Sequence, residues 1–149
     1  METLTEQNQT MQTQRIISAT SNKIYSAFSD PTRLAKWWGP KDFKNTFETF
    51  EFKVGGNWKF IMHSPDGQNY PNESFFKELV PDEKVVIRHD CPPYFTLSVT
   101  LTPNESGTQL IWIQEFDDPK VADAVRHIVE PSNEQNLDRL EMLLRGELK

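Results

Sequence analysis

One cysteine, three histidines, six glycines and a shortage of positive charge narrow what a 149-residue chain can be. Cys91 alone cannot form an internal disulfide, and the opening stretch METLTEQNQTMQTQ holds no apolar run that would serve as a signal peptide or membrane span. A reducing cytoplasm is therefore the expected setting. Lysine and arginine number 16 against 22 acidic residues, a net charge of −6. That field repels phosphate backbones and anionic lipid surfaces, which argues against nucleic-acid and membrane partners. His63, His89, His127 and Cys91 lie in separate stretches without CxxC or HxxxH spacing, so no metal site is expected. With no GxGxxG fingerprint, P-loop or nucleophile elbow, neither a nucleotide cofactor nor a serine or cysteine nucleophile is indicated.

What the chain does have is aromatic rings. Ten phenylalanines and four tryptophans stand in a sequence that is only 36% hydrophobic, and each ring can bury about 150–250 Å². A domain of this length buries roughly 70% of the surface that its unfolded chain exposes. The core must then be made of few, large pieces. Polar residues 1–10 show no periodicity and read as a flexible extension, leaving 11–149 as one domain without internal repeat.

Residues 13–18 read as a first strand. Thr20-Ser21-Asn22 then supplies N-cap candidates for a short helix with Ile24, Tyr25 and Phe28 on its buried stripe. Asp30-Pro31 opens a second helix that carries Leu34, Trp37 and Trp38 and stops at Gly39-Pro40. From Lys44 onward, alternating segments punctuated by Gly, Pro, Asn and Asp form the pattern of a strand meander. Phe50, Phe52 and Val54 share one parity and Phe47 the other, which predicts a bulge in a strand over 44–54.

Gly55-Gly56 signals a two-residue hairpin, and Trp58, Phe60 and Met62 alternate with Lys59 on the way back, leaving His63 toward solvent. After the Pro65-Asp66-Gly67 turn, residues 73–80 and 84–90 read as strands joined across Pro81-Asp82. Phe95, Leu97, Val99 and Leu101 alternate cleanly with Thr96, Ser98, Thr100 and Thr102, one face in a core and one in water. The last strand sets Leu110, Trp112, Gln114 and Phe116 against Ile111 and Ile113.

After Asp117-Asp118-Pro119 the period turns helical, with Val121, Val125, Ile128 and Val129 on one stripe. Pro131 is expected to interrupt it, and Ser132 with Gln135 offers a capping box for a new start. Leu137, Leu140, Leu144 and Leu148 give the closing helix one leucine face that needs a sheet to cover.

Acid–base chemistry would need His89, Asp90, Glu78 or Gln114 to point inward, where burial shifts a titratable group. Gln114 shares the parity of Leu110 and Trp112, so its amide must find a partner inside the sheet, and a ligand is one candidate. Neighbouring Trp37 and Trp38 point about 100° apart on a helix. One ring is expected to pack and the other to lie near an opening.

The order of elements resembles the helix-grip fold (START-like, Bet v-like) of the START and polyketide-cyclase-like superfamily, an α+β class with a curved antiparallel sheet wrapped around a long C-terminal helix. The runs RIISATSNKIYSAFSDPTRLAKWWGP, VGGNWKFIMHSPDG, SFFKELVPDEKVV and NLDRLEMLL, spread over residues 15–145, resemble homologues of the activator of Hsp90 ATPase. Many of these carry Gly-Trp just before the LDRL segment, where this chain has Ser132-Asn133.

The resemblance implies a cavity between the concave sheet and the last helix. Carried over by position, Trp37, Phe50, Phe52, Trp58, Phe60, Phe95, Trp112, Leu137 and Leu140 line it. Trp38, Met62, Phe75, Leu97 and Gln114 complete the candidate ligand-binding set.

Members of the superfamily bind lipids, polyketides or other aromatic molecules, and the eponymous branch acts as a co-chaperone. The expectation here is an apolar small-molecule ligand, with no cofactor and with the chain acting as monomer or homodimer. The alternatives are a chaperone-binding module, which needs an exposed apolar patch, and a cyclase- or hydratase-type enzyme, which needs an inward acid or base. The lack of a catalytic constellation favours binding.

Overall fold

The computed structural model describes residues 9–148. In chain order the elements are β1 (Thr10–Ile17), α1 (Ser21–Ser29), α2 (Pro31–Trp37), β2 (Lys44–Phe50), β3 (Asn57–His63), β4 (Asn69–Val80), β5 (Lys84–His89), β6 (Phe95–Asn104), β7 (Gly107–Phe116) and α3 (Pro119–Leu144). The strands form one antiparallel sheet in the order β1-β7-β6-β5-β4-β3-β2. A meander runs from β2 to β7, and only β1 pairs with a strand distant in sequence. With a long C-terminal helix over a curved sheet, this is the α+β helix-grip architecture.

The short helices start where their caps dictate. The Thr20 side chain accepts from the Lys23 N–H, and Asp30 accepts from the Thr32 N–H ahead of Pro31 at the first helical position. Ile24, Ala27 and Phe28 of α1 and Leu34 and Trp37 of α2 are buried.

Three local expectations need correction. First, β1 begins at Thr10, which pairs with Glu115, and the Gln9 amide donates to the Phe116 carbonyl. The extension expected over 1–10 therefore stops short of these residues, and the rest of it, 1–8, lies outside those described.

Second, the bulge in β2 is present, with pairing to β3 shifting between Phe47 and Thr49, but the strand ends at Phe50. Both Phe47 and Phe50 then meet Trp58, at 5.5 and 6.0 Å between centroids. Residues 51–56 form a loop rather than a two-residue hairpin, and Val54 is exposed. The reason is a close approach: a Cβ on Gly56 would sit 2.1 Å from the Glu51 carbonyl oxygen, so Gly56 serves this contact.

Third, Pro131 does not break the last helix. α3 runs unbroken for 26 residues, and no new cap forms at Ser132, whose hydroxyl donates back to the Ile128 carbonyl. Ile128, expected on the buried stripe, is exposed. An interior proline costs about 3 kcal/mol. Anchors on both sides offset it: Ala122 is buried with Met11 and Phe116 at one end, and Leu137 and Leu140 are fully buried at the other. Each buried leucine contributes about 1.5–3 kcal/mol. On the outer side, Arg15 of β1 donates to Glu134, Asp138 and Glu141 of α3.

Pro131→Ala should therefore stabilise the fold, by about 1–3 kcal/mol, read as a higher urea midpoint with unchanged slope. A lower midpoint would mean that the proline is needed for the path of the helix.

Candidate functional site

Between the sheet and α3 lies a cavity of about 260 Å³. Its apolar wall is Trp58, Phe60, Met62, Ile87, Leu97 and Trp112, joined by Phe95. The α2–β2 connection contributes Trp38, Gly39 and Pro40, and α3 contributes Val129, Ser132, Asn133 and Asn136. A polar side is formed by Asn72, Ser74, His89 and Gln114.

Sheet register explains this grouping, because residues directly opposite across antiparallel strands share a face. One row runs Trp58–Ser74–His89–Phe95 across β3 to β6, and the next runs Phe76–Ile87–Leu97–Gln114 across β4 to β7. A broader groove of about 470 Å³ between β1 and α3 opens to solvent and is lined by Gln12, Thr13, Arg126, Glu130 and Glu134 among others. Its charged rim lacks the aromatic lining of the cavity under α3.

The mouth is held by the last turn of α2. Helix C-termini leave carbonyls without intrahelical partners, and here three side chains collect them. Arg139 of α3 donates to the carbonyls of Lys36, Trp38, Gly39, Pro40 and Phe43 at 2.7–3.0 Å. The Asn136 amide donates to the Trp37 carbonyl, and Asn45 of β2 donates to Ala35 and Trp38. Gly39 has φ +96°, a conformation that turns the chain from Trp38 to Pro40, and a Cβ there would come within 2.7 Å of the end of the Met62 side chain.

His89 stacks on Phe95 at 4.4 Å. Its Nδ1 lies 2.7 Å from the Pro93 carbonyl oxygen and its Nε2 2.7 Å from the Asn72 Oδ1. Burial lowers its pKa, against the pull of the Pro93 carbonyl. The Asn72 amide donates its N–H to the Tyr70 carbonyl and so presents Oδ1 to the ring; the neutral ring can donate from only one nitrogen, to Pro93 or to Asn72, and the cation donates from both. The Cys91 thiol stands 3.5 Å from Nε2.

Of the candidate residues, eight line the cavity: Trp38, Trp58, Phe60, Met62, Phe95, Leu97, Trp112 and Gln114. Trp37 is fully buried behind it, its Nε1 donating to the Ala27 carbonyl and its ring edge-on to Phe28 at 4.9 Å. Phe50 and Phe52 pack on Phe76 at 5.7 and 4.9 Å, away from the lining. Leu137 and Leu140 belong to the solid core.

Phe75 is a correction. It lies opposite Arg88, while the inward positions on β4 are Ser74 and Phe76. A small polar residue at an inward position hid the parity.

Gln114 finds an internal partner, accepting from Asn133 at 2.9 Å. Glu78 and Asp90 are exposed, and Glu78 pairs with Lys84. Asn72, Ser74, Pro93, Asn133 and Asn136 were missed; period-two parity on β4 would have found the first two. Among the described residues no group of three or more His, Cys, Asp or Glu side chains is placed to hold a metal ion, and no helix is long and apolar enough to cross a membrane.

Residues 18–145 match the family described as Activator of Hsp90 ATPase homolog 1-like protein. The chain belongs to that family. Solved structures agree in fold. A Nitrosomonas europaea protein is 20% identical with a TM-score of 0.86, covering 94% of this chain and 96% of its own. A Chromobacterium violaceum protein is 28% identical with a TM-score of 0.80, covering 90% and 96%. The AHSA1 protein from Silicibacter pomeroyi is 20% identical with a TM-score of 0.76, covering 93% and 99%. No curated protein matches the chain. Where many family members are expected to carry Gly-Trp before the LDRL segment, this chain uses Asn133 to bond Gln114.

Arg139→Ala should cost about 2–4 kcal/mol, and Arg139→Lys should recover less than half of that, since an ammonium cannot serve five spread carbonyls. Chemical denaturation measures both; a fully rescuing lysine would contradict the clamp.

The His89 prediction concerns pH. The folded chain disfavours the cation, so the unfolded chain binds the proton more readily. This group's contribution is complete above the ordinary value of 6.5 and is lost as pH falls below it toward the folded pKa. Wild-type stability should thus fall more steeply than that of His89→Gln between about pH 6.5 and 5. Parallel curves would exclude the depressed pKa.

Proposed function

We propose that this chain binds a small, flat, largely apolar aromatic molecule in the cavity between the sheet and α3. The observation that carries this reading is the cavity itself: a space walled by three tryptophans and two phenylalanines, Trp38, Trp58, Trp112, Phe60 and Phe95, in a fold whose members commonly hold hydrophobic ligands. Size limits the occupant. At about 260 Å³ the space holds roughly nine waters and falls below the ~300–1,000 Å³ of sites for drug-sized ligands. A one- or two-ring molecule fits that room better than a long acyl chain or a multi-ring polyketide.

Two features favour binding over the alternatives. His89 is the one titratable side chain in the cavity wall among the described residues, and both its ring nitrogens are occupied by protein, which suits a wall residue better than a catalytic base. The exposed apolar residues Ile16, Val54, Tyr70, Tyr94 and Ile128 are spread over separate elements and loops rather than gathered into a docking face for a chaperone. A cytoplasmic location is part of the same proposal.

Thermal denaturation tests it. A two-ring aromatic at a hundred times its dissociation constant should add about 2.7 kcal/mol of stability, raising Tm by several degrees, whereas a C16 fatty acid should add little. Flat melting temperatures across one- and two-ring compounds would reject the reading.

A further inference from the structure

The polar side of the cavity has capacity that the protein does not use. Ser74 is 5% exposed and lines the cavity, and its hydroxyl makes no hydrogen bond among the described residues. Gln114 is 7% exposed; its Oε1 accepts from Asn133, and its Nε2, with two N–H donors, has no acceptor among the described residues. Asn136 is 6% exposed; its Nδ2 is spent on the Trp37 carbonyl, and its Oδ1 has no donor among the described residues. All three residues line the same space. These three groups face the cavity with capacity to spare, and in the same wall the buried Nε1–H donors of Trp58 and Trp112 have no acceptor among the described residues. A buried polar group left unpaired costs about 1–3 kcal/mol, so the lining points to an occupant that meets its polar groups.

The lining also excludes charge. It contains no Lys, Arg, Asp or Glu. Its imidazole is kept toward the neutral form by burial. The guanidinium nearest the mouth, Arg139, is already committed to five carbonyls. A carboxylate or ammonium brought inside would have no counter-charge, and an unpaired buried charge is strongly disfavoured.

Resting on the binding function proposed above, we infer that the ligand is a neutral phenol, its oxygen accepting from Ser74 and Gln114 and its O–H donating to the Asn136 Oδ1. The aromatic body sits against Trp58, Phe60 and Trp112, and the oxygen meets the polar side. Ser74 and Gln114 lie on β4 and β7 and in adjacent rows of the sheet, so the ring system lies across β5 and β6.

Calorimetric titration with naphthalene, 2-naphthol, 2-naphthoate and 2-naphthylmethylamine tests the inference on the wild-type chain. Tight binding of 2-naphthol, roughly 3- to 10-fold weaker binding of naphthalene, and weaker binding still of both ions is the expected order. In Ser74→Ala and Gln114→Met, the ratio of naphthol to naphthalene affinity should fall toward one, a change that general misfolding, which weakens both ligands alike, would not produce. Equal affinity of wild type for naphthol and naphthalene would overturn the polar recognition and leave the binding function standing. Naphthoate or the amine as the tightest ligand would overturn the neutral assignment. Binding of none of the four would overturn both.

Discussion

The geometry of this protein turns on one guanidinium. Arg139 reaches from α3 into the backbone leaving α2 and satisfies five carbonyls from Lys36 to Phe43. Those carbonyls are the helix C-terminus and the turn after it, groups that otherwise need water or a glycine-capped close. Arg139 gives up solvation to make the contact, as its lowered pKa from burial indicates, and the charge of Asp42 pulls the other way without cancelling that effect. The contact holds α3 against the α2–β2 connection, so Trp38, Gly39 and Pro40 stand at the mouth of the cavity. Asn136 and Asn45 repeat the device from α3 and β2.

With the mouth fixed, the cavity follows from the shape of its lining. Large rigid rings fill space only when they interdigitate, and a core built from few large pieces leaves a gap where their faces diverge. Trp38 leans on both Trp58 and Trp112, at 5.1 and 5.9 Å. Neither Trp58 Nε1 nor Trp112 Nε1 has an acceptor among the described residues. Trp37, one residue earlier, has its acceptor in Ala27 and packs solidly. The difference between these rings divides the aromatic cluster into a packed half under α1 and a hollow half under α3.

Much of this was legible in the sequence because period-two alternation survives wherever one face is wet. The run from Phe95 to Thr102 and the order of helices and strands are read directly, as is the bulge near Phe47. Failures came where a local signal was overruled by distant contacts. Pro131 should stop a helix, but burial of Leu137, Leu140 and Ala122 on either side carries the helix through. Gly55-Gly56 looked like a tight hairpin, whereas Gly56 is needed for the approach of Glu51. Phe75 and Phe76 are adjacent, and the small polar Ser74, buried two positions before Phe76, hid which of them faces inward. The amide pair of Gln114 and Asn133 joins β7 to α3 and has no local signature.

The central claim, that the hollow half of the aromatic cluster is the binding site, can be tested in the indole region of a ¹⁵N–¹H spectrum. There the four tryptophans give four separate Nε1–H signals. Saturation with a two-ring aromatic should move the signals of Trp38, Trp58 and Trp112 and leave that of Trp37, held by Ala27 behind the cavity, in place. An unchanged indole region beside a bound ligand, or shifts confined to residues of the β1–α3 groove, would contradict it.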